Sequence, residues 1–166
     1  MIHNPDFAIA AAGVISEAFR KRGVNTFGEA AALVCDLPYA RNTAKENSLC
    51  VLLENCGTCS TKHALLKRLA DENGHPEIAL VLGIFRMNGN NTPAVAATLQ
   101  KHGLKEMPEA HNYLRRNGVR FDFTKKGFAP EKFVPDLLEE TDITPDQITD
   151  YKVNYHRTFL QRWLVL

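Results

Sequence analysis

The chain has 166 residues, of which 45% are hydrophobic, enough to bury the core of one domain, and we expect residues 1–166 to form a single domain. Its 20 basic and 19 acidic residues leave a net charge of +1, which argues against nucleic acid or an anionic membrane as a partner. The N-terminal sequence predicts neither a signal peptide nor a membrane span, so a cytoplasmic location and four reduced cysteines are expected.

Two helices are predicted before the cysteine-rich segment. Apolar residues at helical spacing predict a helix over residues 5–22, which stops at Gly23. Thr26 and Glu29 match a capping box, so a second helix begins there and ends near Asp36. The polar and aromatic residues 37–43 then form a loop of the kind that often carries function.

The segment 49–74 is the centre of the prediction. Its apolar run 49–53 has the length of a strand, and after a turn the apolar spacing indicates a helix that ends at Gly74. Cys59 lies in the first turn of this helix, where the helix dipole and free backbone N–H groups favour a thiolate. The neighbouring Lys62 and His63 are expected to add positive charge.

The remaining elements are predicted from apolar composition and from the residues that begin and end helices and strands. Residues 78–87 predict a buried strand, and Thr92-Pro93 predicts the start of a helix that ends near Gly103. Residues 125–138 are irregular in pattern. The capping pattern at Thr144 predicts a final helix that reaches Trp163, whose aromatic stripe is expected in the core.

Asn117-Gly118 lies between two strand-like runs, 109–116 and 119–124, and is the strongest short signal for a β-hairpin. A two-residue loop pairs the residues that flank it, and counting back places His111 and Asp122 on one face as diagonal neighbours. Their Cβ atoms are then roughly 7 Å apart or slightly less, a gap that an imidazole and a carboxylate can close with a hydrogen bond. A shift of one residue in register would put them on opposite faces.

Cysteine, histidine and aspartate are the working set for acyl transfer by a thiol. Gly57-Thr58-Cys59, Ala110-His111 and Phe121-Asp122-Phe123-Thr124 resemble, in this order, the motifs of the transglutaminase-like superfamily of papain-like cysteine enzymes. The resemblance implies an α+β fold in which a central helix carrying the cysteine packs on an antiparallel sheet, with N- and C-terminal helices flanking it. Two segments, Ser60-Thr61-Lys62 and Asn112-Tyr113, depart from the aromatic and tryptophan residues common in that family, so the substrate class stays open.

The same resemblance assigns roles. Cys59 would be the nucleophile, His111 the general base and acid, and Asp122 the carboxylate that orients the imidazole. The implied reaction is acyl transfer, or hydrolysis of an amide or peptide, on a peptide, protein or small amide substrate, without a metal or organic cofactor. The oxyanion hole would combine the Cys59 N–H with a side chain, for which Arg41 and Asn42 in the loop and Asn55 are the candidates.

Three alternatives remain open from the residues alone. Cys56 and Cys59 form a C-x-x-C motif at a strand-to-helix junction, as in a thioredoxin-like redox protein. The same pair could bind zinc with His63 and one further ligand from His75, His102 or His111, although a single C-x-x-C is weak evidence. A catalytically inert binding domain of the same fold is the third. His63 is also near enough in sequence to rival His111 as the base, but it is expected on an exposed helix face.

Overall fold

The computed structural model describes residues 4–165. Within this range the α-helices number six: α1 (Val14–Arg20), α2 (Phe27–Asp36), α3 (Cys50–Glu54), α4 (Cys59–Glu72), α5 (Ala96–Lys101) and α6 (Asp150–Trp163). Four antiparallel strands form one sheet in the order β3-β2-β1-β4: β1 (Ala79–Asn88), β2 (Glu106–Arg116), β3 (Val119–Phe121) and β4 (Leu137–Ile143). The predicted α+β arrangement, with a central helix against an antiparallel sheet and helices at both ends, is confirmed.

Helix α4 is central because its apolar residues recur on the side that faces the sheet. Leu65, Leu66 and Leu69 are at most 1% exposed and belong to the main core with the inward residues of β1. Each fully buried leucine contributes about 1.5–3 kcal/mol of transfer free energy. This packing fixes the position of the N-terminus of α4, which carries Cys59.

Strand β1 is buried on both faces, which explains its continuous apolar sequence. Leu80 and Leu82 face the main core, whereas Val81 and Phe85 face a second cluster that includes Tyr113 and Phe133. The second cluster is closed by the segment between β3 and β4. The strand predicted over residues 78–87 is therefore confirmed.

Several predicted elements are wrong in kind or length. The apolar run 49–53 forms helix α3 instead of a strand, because a short apolar run carries no distinguishing period, and Asn55 ends it in the left-handed conformation at φ 51°. The helix predicted over residues 5–22 is limited to α1. Its first N–H groups, at Ile15 and Ser16, are bonded by the Glu72 carboxylate of α4 at 3.0 and 2.7 Å.

The C-terminal region also differs from the prediction. Strand β4 was not predicted, and the last helix is divided into a 3₁₀ turn over residues 145–148 and α6. The described residues of α6 are all at least partly exposed, so its aromatic stripe does not lie in the core; Tyr155 and Phe159 pack against the edge of the core. Within residues 4–165, no helix is long and apolar enough to cross a membrane.

Candidate active site

Cys59 is the first residue of α4 and is 7% exposed. Thr58 caps the helix together with Thr61: the Thr58 N–H donates to the Thr61 hydroxyl at 3.0 Å, and the Thr58 hydroxyl accepts from the Thr61 N–H at 3.5 Å. Gly57 precedes them in a crowded site, where a Cβ would lie 2.9 Å from Cγ of Lys62 and 3.0 Å from Oγ1 of Thr61. The glycine therefore lets the chain pass close beneath the helix that presents the thiol.

The hairpin is confirmed, with Arg116 opposite Val119 and Leu114 opposite Phe121. This register brings His111 and Asp122 together, with 2.6 Å between His111 Nε2 and Asp122 Oδ2. The other carboxylate oxygen accepts the Thr124 N–H at 2.8 Å. Both oxygens of Asp122 are thus occupied, which fixes the orientation of the carboxylate toward the imidazole.

The ladder between β2 and β3 stops one pair before the site. In a longer ladder Asn112 would lie opposite Phe123, but the Phe123 N–H instead donates to His63 Nε2 at 2.8 Å. The short β3 therefore opens the sheet edge to the N-terminus of α4.

His63 is buried at 0% exposure, so the prediction that it lies on an exposed helix face is wrong. Because Nε2 accepts the Phe123 N–H, the ring proton is on Nδ1, which donates to the Cys59 carbonyl at 2.8 Å. Burial lowers the pKa of His63 against the opposing charge of Asp122, consistent with a neutral ring. His63 thus joins α4 to the segment that carries Asp122.

Lys62 also differs from the prediction. Its side chain is fully buried and donates to the carbonyl oxygens of Leu37 and Thr124 at 2.6 and 2.7 Å. The ammonium group therefore ties the loop 37–43 and the residues after Asp122 to α4. The ammonium group is directed to these carbonyls, so the positive charge near the Cys59 thiol comes from other residues.

The charges at the site favour a thiolate and an imidazolium. Burial opposes ionisation of Cys59, but the positive charges of Lys152 and His111 outweigh it and hold the pKa of the thiol well below its ordinary value. Burial likewise opposes the charge on His111, yet Cys59 and Asp122 raise its pKa to about 10. The pKa of Asp122 falls to about 2, because His111 outweighs the burial of the carboxylate.

The three oxyanion candidates from the sequence occupy different surroundings. Asn42 is buried: its amide N–H donates to the Cys56 carbonyl at 3.0 Å, and its oxygen accepts from the Thr61 hydroxyl at 2.7 Å. Asn55 is exposed at the end of α3. Arg41 is exposed and lines a cleft beside Cys59. The Asn42 amide thus holds the loop in place, and Arg41 is the candidate that shares a cleft with Cys59.

Two clefts meet at Cys59, Tyr39 and the start of β2. One has a volume of about 320 Å³, contains His111, and is lined by apolar side chains, among them Phe85, Met87, Val95 and Phe128. The other, of about 360 Å³, is more polar and contains Arg41, Lys45, Ser60 and Lys152. Cys59 therefore lines both an apolar cleft and a polar one.

Sequence reasoning missed Lys152. It lies on α6, 93 positions from Cys59, and its Nζ is 3.8 Å from the Cys59 sulfur and 2.8 Å from the Ser60 hydroxyl. No local motif signals this approach, because it depends on how α6 packs across β2. Glu109 was missed too: it lines both clefts, and burial raises the pKa of its carboxyl.

The residues of the redox and zinc alternatives are also located. All four cysteines are free thiols, and the sulfur of Cys56 lies 3.9 Å from the Asn42 amide nitrogen. Among residues 4–165, no group of three or more His, Cys, Asp or Glu side chains is placed to hold a metal ion. The zinc set of Cys56, Cys59 and His63 is accordingly not assembled within that range.

Comparison of the chain with family models, with curated proteins and with solved structures finds no match. Its function is therefore inferred from the geometry and charge of the site.

Proposed function

We propose that this protein is a thiol enzyme that catalyses acyl transfer, or hydrolysis of an amide or peptide, through Cys59, His111 and Asp122. One observation carries the proposal: the His111 imidazole is bonded to a buried carboxylate and shares a cleft with Cys59, whose thiol pKa its positive charge helps to lower. Substrate would be a peptide, a protein or a small amide. The resemblance to transglutaminase-like enzymes in the order of the three residues supports the same reaction class.

In the proposed reaction Cys59 supplies the attacking sulfur and His111 transfers the protons. The Cys59 thiolate attacks the acyl carbon, a carbon–sulfur bond forms, and the carbonyl electron pair moves onto oxygen. Collapse of this intermediate expels the leaving amine, which takes its proton from the His111 imidazolium. In the second half, neutral His111 removes a proton from water or an amine as it attacks the thioester, and the thiolate leaves.

Asp122 serves this cycle by fixing the ring. It accepts from Nε2, so Nδ1 is the nitrogen left to exchange a proton with the sulfur and the leaving group. The carboxylate also stabilises the imidazolium that precedes each proton transfer. The site thus offers a nucleophile and a group that can transfer protons.

An acyl-enzyme test separates this proposal from the alternatives. Reaction with p-nitrophenyl acetate should release p-nitrophenolate and add one acetyl group to Cys59, identified by peptide mass spectrometry. Cys59→Ala should lose the turnover with the fold intact, because removal of one triad member costs several orders of magnitude in rate. Retained turnover in Cys59→Ala would refute the proposal.

Cys56→Ala is the matched control, since Cys56 is a second, half-buried thiol three positions earlier. It should keep the esterase activity in the acyl-transfer mechanism. Equal loss of function in both cysteine variants, measured as dithiol-dependent reduction of a disulfide, would indicate a redox pair instead. Addition of hydroxylamine to the acetylated enzyme then tells whether an amine competes with water as acceptor.

A further inference from the structure

The amino group of Lys152 is held beside the nucleophile by a fixed set of bonds. Its Nζ donates to the Ser60 hydroxyl at 2.8 Å, and Ser60 donates to the Asn112 side-chain oxygen at 2.9 Å. The Asn112 amide nitrogen in turn donates to the Val81 carbonyl in β1 at 3.0 Å. Ser60 and Asn112 are buried, so this chain anchors the lysine to the sheet.

In this position Lys152 keeps N–H donors free for a group bound to the Cys59 sulfur. An ammonium group has three N–H donors, and Ser60 accepts one of them. The same nitrogen is 3.8 Å from the Cys59 sulfur. A carbonyl oxygen on a carbon bonded to that sulfur is two bonds from the sulfur, and it comes within hydrogen-bond distance of Nζ when it points to the Lys152 side.

The two clefts place the carbonyl oxygen of the substrate and its leaving group on different sides of Cys59. His111 lines the apolar cleft, so the leaving group, which takes the histidine's proton, belongs there. Lys152 lines the other cleft together with Thr58 and Ser60 from the start of α4. First-turn N–H groups of a helix lack acceptors within the helix, so the Cys59 N–H is a second donor on this side.

We propose that Lys152 is the side-chain donor of the oxyanion hole, where its ammonium group and the Cys59 N–H receive the negative oxygen of the tetrahedral intermediate. This inference rests on the proposed acyl-transfer function and assigns a catalytic residue to it. Lys152 takes the role for which the sequence offered Arg41, Asn42 and Asn55. Its positive charge also favours the thiolate, so the test must separate the two effects.

Comparison of acylation with alkylation separates the effect of Lys152 on the oxyanion from its effect on the thiolate. Reaction with p-nitrophenyl acetate creates an oxyanion, whereas iodoacetamide is attacked at a saturated carbon and creates none, although both need the thiolate. Each rate is measured on its high-pH plateau, where Cys59 is fully ionised in every variant. Lys152→Met is expected to lower the acylation rate by about 100-fold, as loss of one oxyanion donor does, and to leave the alkylation rate nearly unchanged.

Two further variants control the result. Arg157→Met removes a positive charge from an exposed position of the same helix and should acylate like the wild type. Lys152→Arg keeps a positive charge in place and should recover part of the lost acylation rate. This variant still tests the inference if Lys152→Met fails to fold.

The inference is overturned if Lys152→Met slows both reactions by the same factor, since the lysine then acts on the thiolate alone. It is also overturned if Lys152→Met acylates at the wild-type rate. Failure of the proposed function is a separate result: the wild type itself would then show no acetylation of Cys59.

Discussion

Replacement of Asp122 by asparagine removes the charge behind the imidazole with the smallest change in shape. The two oxygens of Asp122 accept from His111 Nε2 at 2.6 Å and from the Thr124 N–H at 2.8 Å. An amide has one oxygen, so the substituted side chain satisfies one donor and turns its NH₂ group toward the other. If the NH₂ faces His111, the ring must carry its proton on Nδ1, where it can no longer accept a proton from the thiol.

The expected losses are large in both rate and stability. An asparagine in the orienting position costs up to about 10⁴-fold in rate in other triads, and a fall of about 10²-fold or more is expected here. The folded-state pKa of Asp122 is about 2 against an ordinary 3.8. This difference corresponds to roughly 2 kcal/mol of stability, present above pH 4 and lost as pH falls toward 2.

The assay pairs urea unfolding at pH 7 and pH 3 with turnover of p-nitrophenyl acetate. Asp122→Asn should be less stable than the wild type at pH 7, and the gap should narrow at pH 3. Asp71→Asn is the control: this carboxylate belongs to an exposed i, i+4 pair with Lys67, which contributes little. If Asp122→Asn matched the wild type in rate and in both unfolding free energies, the role given to the carboxylate would be wrong.

Two other substitutions test how the site is positioned. Gly57→Ala should lower the unfolding free energy by about 1–3 kcal/mol and slow Cys59 labelling, because the added Cβ meets the side chains of Lys62 and Thr61. If thermal melting showed the variant to be as stable as the wild type, the close packing around Gly57 would be contradicted. His63→Leu should cost about 1–3 kcal/mol, because the buried Phe123 N–H loses its acceptor. It should slow alkylation by iodoacetamide less than His111→Ala does, and the reverse order would make His63 the base.

The sequence was informative wherever a local rule determines the structure. The capping box of Thr26 and Glu29 begins α2, and Asn117-Gly118 sets the hairpin register that joins His111 to Asp122. Both depend on residues close in the chain, and their geometry follows from backbone conformation alone. The proximity of the imidazole and the carboxylate could therefore be derived by counting.

Features that depend on distant packing could not be derived in this way. The burial of His63 follows from the end of the β2–β3 ladder, which leaves the Phe123 N–H in need of an acceptor. The approach of Lys152 to Cys59 requires α6 to cross β2. Helix α3 was misread because five apolar residues fit a strand and a helix equally well.

The most direct test of the thiolate–imidazolium pair is the pH dependence of Cys59 alkylation by iodoacetamide, followed by peptide mass spectrometry in the wild type and in His111→Ala. An ordinary thiol of pKa about 8.5 is only about 0.1% ionised at pH 5.5. The wild type should be labelled at Cys59 much faster at that pH than this small thiolate fraction allows, and His111→Ala should need a higher pH. Labelling of both proteins along the curve of an ordinary thiol would contradict the pair and the enzyme mechanism built on it.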